Sequence, residues 1–148
     1  MIVVIQRVKE ASVVVQSAQV GHIKKGLLIF LGIAKEDKEE DADYLIRKII
    51  NLRIFEDENG KMNLAAHETK AELLVVSQFT LLGDCLKGNR PSFAKAADPV
   101  KAEKFYRYFV EKLRGQHFKV ETGEFRAMMD VSLVNDGPVT LILASGKG

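Results

Sequence analysis

The chain opens on a β-branched run, Ile2-Val3-Val4-Ile5-Gln6-Arg7-Val8, and resumes it at Val13, Val14 and Val15. Branched side chains lose rotamer freedom in a helix and fit a pleated strand, so residues 2–8 and 12–17 are read as two strands. Gly21 breaks the pattern, His22 and Ile23 read as a short strand, and Lys24-Lys25-Gly26 as a turn. Leu27 to Ile33 is apolar throughout, which predicts a strand buried on both faces. The period then changes. Ala42, Leu45, Ile46, Ile49 and Leu52 recur three and four apart, predicting a helix over 37–52 with one apolar face. Acidic residues crowd its start and Arg47 and Lys48 come later, the favourable polarity against a helix dipole. Arg53-Ile54-Phe55 reads as a short strand, Asp57 to Gly60 as a turn and residues 61–71 as loop.

Leu73 to Phe79 is a second strongly apolar strand candidate, followed by an irregular stretch over 80–97. A loop that long inside a compact domain is uncommon and is often functional. Asp98-Pro99 then supplies an N-cap and a first helical residue. Ala102, Phe105, Tyr106, Phe109, Val110 and Leu113 form the apolar stripe, and Gly115 closes it. Phe118 to Glu121 reads as a strand. Met129, Val131 and Leu133, then Val139 and Leu141, alternate on either side of Asn135-Asp136-Gly137-Pro138, which predicts a hairpin. The last four residues read as a frayed tail. Strands, helix, strands, helix, strands predict an α+β fold. It is a single domain over 1–148, a curved mixed β-sheet with a barrel-like core packed with two main helices.

Composition narrows the classes. A chain of 148 residues, 47% hydrophobic and 28% charged, buries enough surface to need no disulfide or metal staple. A net charge of +2 argues against a protein that grips nucleic acid through a broad basic surface, and leaves room for a local patch. Cys85 stands alone, as suits a reducing compartment. The N-terminus lacks a basic segment before its apolar run, and no stretch of ~18 apolar residues occurs. The expectation is a soluble cytoplasmic protein. No H-E-x-x-H, C-x-x-C, GxxxxGK or G-x-S-x-G occurs, and His22, His67 and His117 are isolated. Neither a metal nor a cofactor is expected.

Three segments carry candidate chemistry. Ser77-Gln78-Phe79-Thr80 turns polar at the exit of an apolar strand, and period-2 geometry puts Gln78 and Thr80 on one face, Ser77 and Phe79 on the other. The plain alternative is a strand end whose hydroxyls cap the next turn. In Asn135-Asp136-Gly137-Pro138-Val139-Thr140, the proline restricts the residues before it, and a cis Gly137-Pro138 bond would hold two carbonyls in a fixed direction. The alternative is an ordinary turn. In the loop from Lys87 to Phe93, Lys87 and Arg90 with amides freed by Gly88 suit a phosphate, and Phe93 suits an anchor in the core. The alternative is a solvated turn. On residues alone, a Ser or Thr nucleophile hydrolase of a small ester or amide and a small RNA-binding or dimeric scaffold both stay open.

Taken together these segments closely resemble the D-aminoacyl-tRNA deacylase family, whose hallmarks SQFT and NxGPxT stand here as Ser77–Thr80 and Asn135–Thr140. The resemblance extends through Gln6-Arg7-Val8, Asn51-Leu52-Arg53-Ile54-Phe55, Gly60-Lys61-Met62-Asn63, Arg90-Pro91-Ser92-Phe93 and Val131-Ser132-Leu133-Val134. Departures fall at Leu82-Gly83-Asp84, at Asn89 and at Arg126, where the family favours glycine. The resemblance implies a homodimer with sites at the subunit interface. It implies hydrolysis of the ester of D-aminoacyl-tRNA and of glycyl-tRNA(Ala), with the L-aminoacyl substrate rejected by a cross-subunit Gly137-Pro138 filter. Ser77, Gln78, Phe79 and Thr80 would form the catalytic segment. The amides around Phe79 would serve as oxyanion donors, and the terminal 2′-hydroxyl of the RNA would stand in for a side-chain base. Lys87, Arg90, Phe93 and Asn135 would contact substrate or tRNA.

Overall fold

The structure, a computed structural model, describes residues 1–146. Its elements are β1 (Ile2–Val15), β2 (Ala18–Ile23), β3 (Gly26–Gly32), α1 (Glu39–Asn51), β4 (Phe55–Glu56), β5 (Met62–Leu64), β6 (Glu72–Ser77), α2 (Pro99–Arg114), β7 (Val120–Thr122) and β8 (Asp130–Ala144). Short 3₁₀ turns lie at Ala66–Glu68 and Phe79–Leu82. The main sheet runs β2-β1-β3-β6-β7, with β8 on the other edge of β1. β3, β6 and β7 are parallel and the rest antiparallel, so the sheet is mixed, as expected.

Two of the expected breaks are not breaks. Residues 2–8 and 12–15 belong to one fourteen-residue strand, while Gln16 and Ser17, expected in the second strand, form the turn into β2 with positive φ. The predicted hairpin around Asn135–Pro138 is one fifteen-residue strand, β8, that pairs with β1 from Ala144 opposite Ile2 to Asp130 opposite Val14. What looked like turn chemistry is a bulge: the β1–β8 register shifts between Gln6 and Val8 and again between Val8 and Glu10. Bulges insert an unpaired residue, bend the strand and change the face it presents. Pro138 is tolerated because β8 lies on an edge, where one side of the strand has no ladder to complete.

The bulge also hands β1 from one core to another. Val3 and Ile5 pack with Leu27, Ile29, Leu31, Leu73 and Val75 against Ala42, Leu45, Ile49, Phe105, Phe109 and Leu113 of the two helices. Beyond the bulge Val8, Ala11 and Val13 pack inside the curled sheet with Ile23, Leu28, Leu74 and Val76. β3 and β6 contribute to both cores, which explains why they read as apolar throughout.

The helices form where the periodicity placed them. The side chain of Asp98 accepts from Lys101 N at 3.0 Å, and Pro99 follows as the first helical residue. Tyr106, buried on α2, donates its hydroxyl to the carbonyl of Val75 at 2.7 Å and ties helix to sheet. The segment expected as loop over 61–71 contains β5, which pairs with β4. The tail expected to fray is held at Ser145, whose N–H donates to Met1 O at 3.0 Å. The rest of that expectation, Lys147 and Gly148, lies outside the described residues.

Candidate active site

β6 ends at Ser77, paired with Leu31 of β3. The alternation of faces expected across Ser77–Thr80 stops there, because the chain turns. Gln78 N donates to Leu31 O at 2.8 Å, the last sheet bond, and Gln78 O accepts from Leu81 N at 3.2 Å, the first bond of the 3₁₀ turn. Phe79 and Thr80 head that turn, where amide N–H groups have no carbonyl of the turn to reach. The amide of the Gln78 side chain bonds the Thr80 hydroxyl. Thr80 is exposed and Phe79 is 54% exposed, so the head of the turn faces solvent.

Gly32 explains why the turn sits so close to the sheet. A Cβ there would stand 2.6 Å from Leu82 Cδ2, 3.0 Å from Leu81 Cβ and 3.1 Å from Gln78 O. The sequence alone gave no sign of this role, because the two segments meet only in space.

The loop after the turn is organised by a two-residue bridge. Asp84 N donates to Ser92 O at 2.8 Å and Ser92 N to Asp84 O at 2.9 Å. Lys87 and Arg90 are exposed on the loop between them. Phe93 was expected to anchor the loop in the core. It instead packs at the surface, edge-on to Phe79 with ring centroids 5.1 Å apart and planes at 69°, and its ring edge fits against Gly83. Aromatic pairs of this geometry contribute about 0.5–1.5 kcal/mol beyond their buried area. Ser77, Gln78, Phe79, Thr80 and Phe93 are thus brought to one region.

Gly137, Pro138 and Asn135 are not in it. The Gly137-Pro138 bond is cis, and Gly137 has φ +131°, a conformation open to glycine. Both residues are exposed, in the bulge opposite Arg7. Arg7 is 4% exposed; its Nε donates to Asp136 O at 3.0 Å and its Nη1 to Ile54 O. Asp136 and Glu56 carboxylates lie 3.6 and 3.9 Å from the guanidinium. One side chain therefore clamps the bulge to the segment after α1, a role that the sequence reading did not assign. Gly32 pairs with Ile2, whereas the Gly137-Pro138 segment stands five residues further along β1, about 17 Å at ~3.4 Å per residue. Within one chain the two hallmark segments are separate.

Among the described residues no group of three or more His, Cys, Asp or Glu converges to hold a metal. His67 bonds the carbonyl of Ile50 at 2.9 Å, away from the turn. The geometry defines an α+β protein whose candidate site gathers Ser77, Gln78, Phe79, Thr80 and Phe93 where a sheet strand ends in a tight turn.

Comparison with known proteins gives the family. The family model for D-Tyr-tRNA(Tyr) deacylase matches residues 4–144. The D-aminoacyl-tRNA deacylase of Thermosipho melanesiensis is 58% identical over 145 residues, covering 97% of each chain. That of Bacillus cytotoxicus is 59% identical over 143 residues, covering 97% of this chain and 98% of the relative. A solved structure named c-Myc DNA Unwinding Element Binding Protein superposes with a TM-score of 0.93 at 43% identity, over 99% of this chain and 100% of the other. A second, of a probable eukaryotic D-amino acid tRNA deacylase, has a TM-score of 0.78 at 15% identity and shares the fold. The chain belongs to the D-aminoacyl-tRNA deacylase family.

Proposed function

We propose that this protein hydrolyses the ester joining a D-amino acid, or glycine on tRNA(Ala), to the tRNA 3′ end, and spares L-aminoacyl-tRNA. Water adds to the ester carbonyl, the bond from the acyl carbon to the ribose oxygen breaks, and that oxygen leaves as the tRNA hydroxyl with a proton. The products are the free amino acid and tRNA. The carrying observation is the exposed head of the Phe79–Leu82 turn, where the amides of Phe79 and Thr80 have no carbonyl of their own turn to reach. Donors aimed at a developing oxyanion, and orientation of an already labile ester, supply the rate. No histidine base stands in this arrangement, in keeping with use of the substrate's own 2′-hydroxyl.

Selection against L-amino acids is assigned to Gly137 and Pro138 of a second copy. The separation of the two hallmark segments in one chain supports that reading, as does their exposure. A homodimer with composite sites follows from it. Backbone carbonyls would leave room for a hydrogen where an L side chain would clash, and glycine would pass. Lys87, Arg90 and Asn135 are assigned to the tRNA end. The cytoplasm, where tRNA is charged, is the expected compartment.

The test is deacylation of D-tyrosyl-, L-tyrosyl- and glycyl-tRNA by purified protein with chelator present, alongside its mass in solution. Cleavage of the D and glycyl substrates with the L substrate intact, by a dimer, is the expected result. Equal cleavage of both enantiomers, or a monomer that is fully selective, rejects the cross-subunit filter. Thr80→Ala separates the mechanism from a nucleophilic one. A nucleophile's loss removes nearly all turnover, whereas a backbone and RNA-assisted mechanism retains part of it.

A further inference from the structure

A cavity of about 250 Å³ opens beside the bulge that carries Gly137 and Pro138, with Arg7, Lys25, Glu56, Thr69, Lys70 and Asp136 in its lining. Its charges are unevenly answered. Both carboxylates face Arg7, Asp136 at 3.6 Å and Glu56 at 3.9 Å. Lys25 and Lys70 are exposed and make no ion pair among the described residues. The neighbouring acid, Glu72, is engaged elsewhere: its Oε2 accepts from Lys24 N at 2.8 Å and lies 3.5 Å from Lys119 Nζ. The backbone under the two lysines is fixed. Gly26 pairs with Glu72, and a Cβ on Gly26 would stand 1.8 Å from Glu72 O, so the turn before β3 lies hard against the segment before β6. Glu72 N donates to Lys25 O at 3.0 Å. Thr69 Oγ1 accepts from Ala71 N at 3.2 Å and donates to Ala66 O at 2.9 Å, which holds the chain on either side of Lys70.

These lysines stand at the starts of β3 and β6, whereas the Phe79–Leu82 turn stands at the far ends of the same strands, about 20 Å away at ~3.3 Å per residue. They are remote from the turn of their own chain and adjacent to the bulge. We propose that Lys25 and Lys70 hold phosphates of the tRNA 3′ strand, and that they do so in trans, on the ester bound at the turn of a second copy. This rests on the cross-subunit reading of Gly137 and Pro138 given above: if the bulge of one copy stands at the turn of another, the lysines beside the bulge travel with it. The strand must carry its phosphates past whatever flanks the filter. An ammonium is a point charge with three donors and binds phosphate without the planar match that a guanidinium uses. The strand then lies between Lys87 and Arg90 of the copy that holds the ester and Lys25 and Lys70 of the other. A chain of net charge +2 has no broad basic field, so its hold on RNA depends on unpaired local cations of this kind.

The experiment measures kcat/KM for D-tyrosyl-tRNA between ~50 and ~200 mM salt, on the full chain and on the double variant Lys25→Gln with Lys70→Gln. Each phosphate contact on a single strand adds about 0.7 to the slope of log affinity against log salt, so the double variant is expected to lose about 1.4 from that slope, through KM rather than kcat. The D-tyrosyl ester of adenosine carries no phosphate, and the two proteins are expected to cleave it at rates within about twofold. A loss on that ester as large as on tRNA makes the lysines structural and overturns the proposal. Mixed dimers, isolated through two affinity tags, decide which copy the lysines serve. One subunit carries Phe79→Pro, which removes the Phe79 N–H at the first position of the turn, where proline is tolerated. If that subunit does not fold, Gly32→Ala takes its place. With the lysine changes on the subunit whose turn is intact, the parent slope is expected; with them on the Phe79→Pro subunit, the shallow slope. The opposite pattern, equal slopes in the two mixed dimers, or an unchanged slope in the double variant overturns the proposal and leaves the dimer and its filter standing. A protein with the mass of a single chain instead removes the cross-subunit reading beneath it.

Discussion

Gly32→Ala is the sharpest probe of how the site is built, since it adds one methyl group at a distance from any reacting atom. The new Cβ would stand 2.6 Å from Leu82 Cδ2, 3.0 Å from Leu81 Cβ and 3.1 Å from Gln78 O. Carbon pairs are comfortable at ~3.5–4.0 Å. The methyl of Leu82 is the end of a flexible side chain and can swing, but Leu81 Cβ and Gln78 O belong to the frame of the turn. The turn must therefore retreat by roughly 0.5 Å, taking the Phe79 and Thr80 amides with it. Overpacking of this kind costs about 1–3 kcal/mol, or roughly 3–10 °C of Tm for a chain this long. A misplacement of about 1 Å costs on the order of a hundredfold in rate, so half of that predicts a fall of about tenfold in kcat/KM for D-tyrosyl-tRNA. The assay is the initial rate of deacylation well below the melt of each variant. Arg114→Ala is the control for stability alone. It removes the bond to Val120 O, which pairs with Leu73 at the opposite end of β6 from the site, and costs about 1 kcal/mol. Its kcat/KM should match the parent. A Gly32→Ala enzyme with kcat/KM within twofold of the parent would refute the reasoning, whatever its Tm.

Other outcomes follow from the same contacts. Arg7→Lys replaces a fork that reaches both Asp136 O and Ile54 O with a point charge that cannot hold the two, leaving a buried acceptor at a cost of about 1–3 kcal/mol. Amide hydrogen exchange should quicken at residues 135–137, and the preference for D over L substrate should narrow; unchanged exchange there speaks against the clamp. Burial pushes the Tyr106 hydroxyl up to about 12, against an ordinary value of 10.0. The unfolded chain therefore loses that proton first as pH rises. The stability from this group is whole below pH 10 and is lost between about pH 10 and 12, on the order of 2–3 kcal/mol. Urea melts across that range should show the loss, and Tyr106→Phe should remove this part of the slope. Phe93→Ala removes the edge-on partner of Phe79, and is expected to raise KM several-fold with a smaller change in kcat; the reverse split would place Phe93 in the chemical step.

How far the sequence speaks depends on whether a feature is made locally. The two helices are legible because periodicity, the acidic first turn of α1 and the Asp98-Pro99 start are local signals. The apolar runs of β3 and β6 are legible because burial on both faces leaves no alternation to misread. The long strands are not. Asn-Asp-Gly-Pro has the same local chemistry in a hairpin turn and in a bulge, and only the pairing of β8 with β1 along its whole length decides between them. The strand period failed at Gln78 for a similar reason, since a tight turn replaces the ladder one residue after Ser77. Gly32 behind the turn, Arg7 under the bulge and Phe93 on Phe79 are contacts between distant segments and have no signature within either segment. Arg126 is a further case: it takes φ +66°, in the left-handed region where L side chains are strained, and no local signal announces it.

Those distant contacts also bear on why a small, nearly neutral domain suits the proposed task. A side-chain pocket distinguishes ligands by fit, and one methylene in such a pocket is worth only about 1–3 kcal/mol. A deacylase that discriminated enantiomers in that way would have to fit each side chain separately, and would be specific for one amino acid. Rejection by fixed backbone works differently. Repulsion rises steeply with overlap, and it acts at the α-carbon, which every amino acid shares. Its requirement is rigidity at the wall and at the donors. On the proposed reading the Arg7 clamp would supply the first, holding the bulge through Asp136 O. Close packing of the Phe79–Leu82 turn on Gly32 would supply the second. Selectivity and stability would then draw on the same contacts. A substitution that loosens either one is expected to lower Tm and to degrade discrimination before it abolishes turnover.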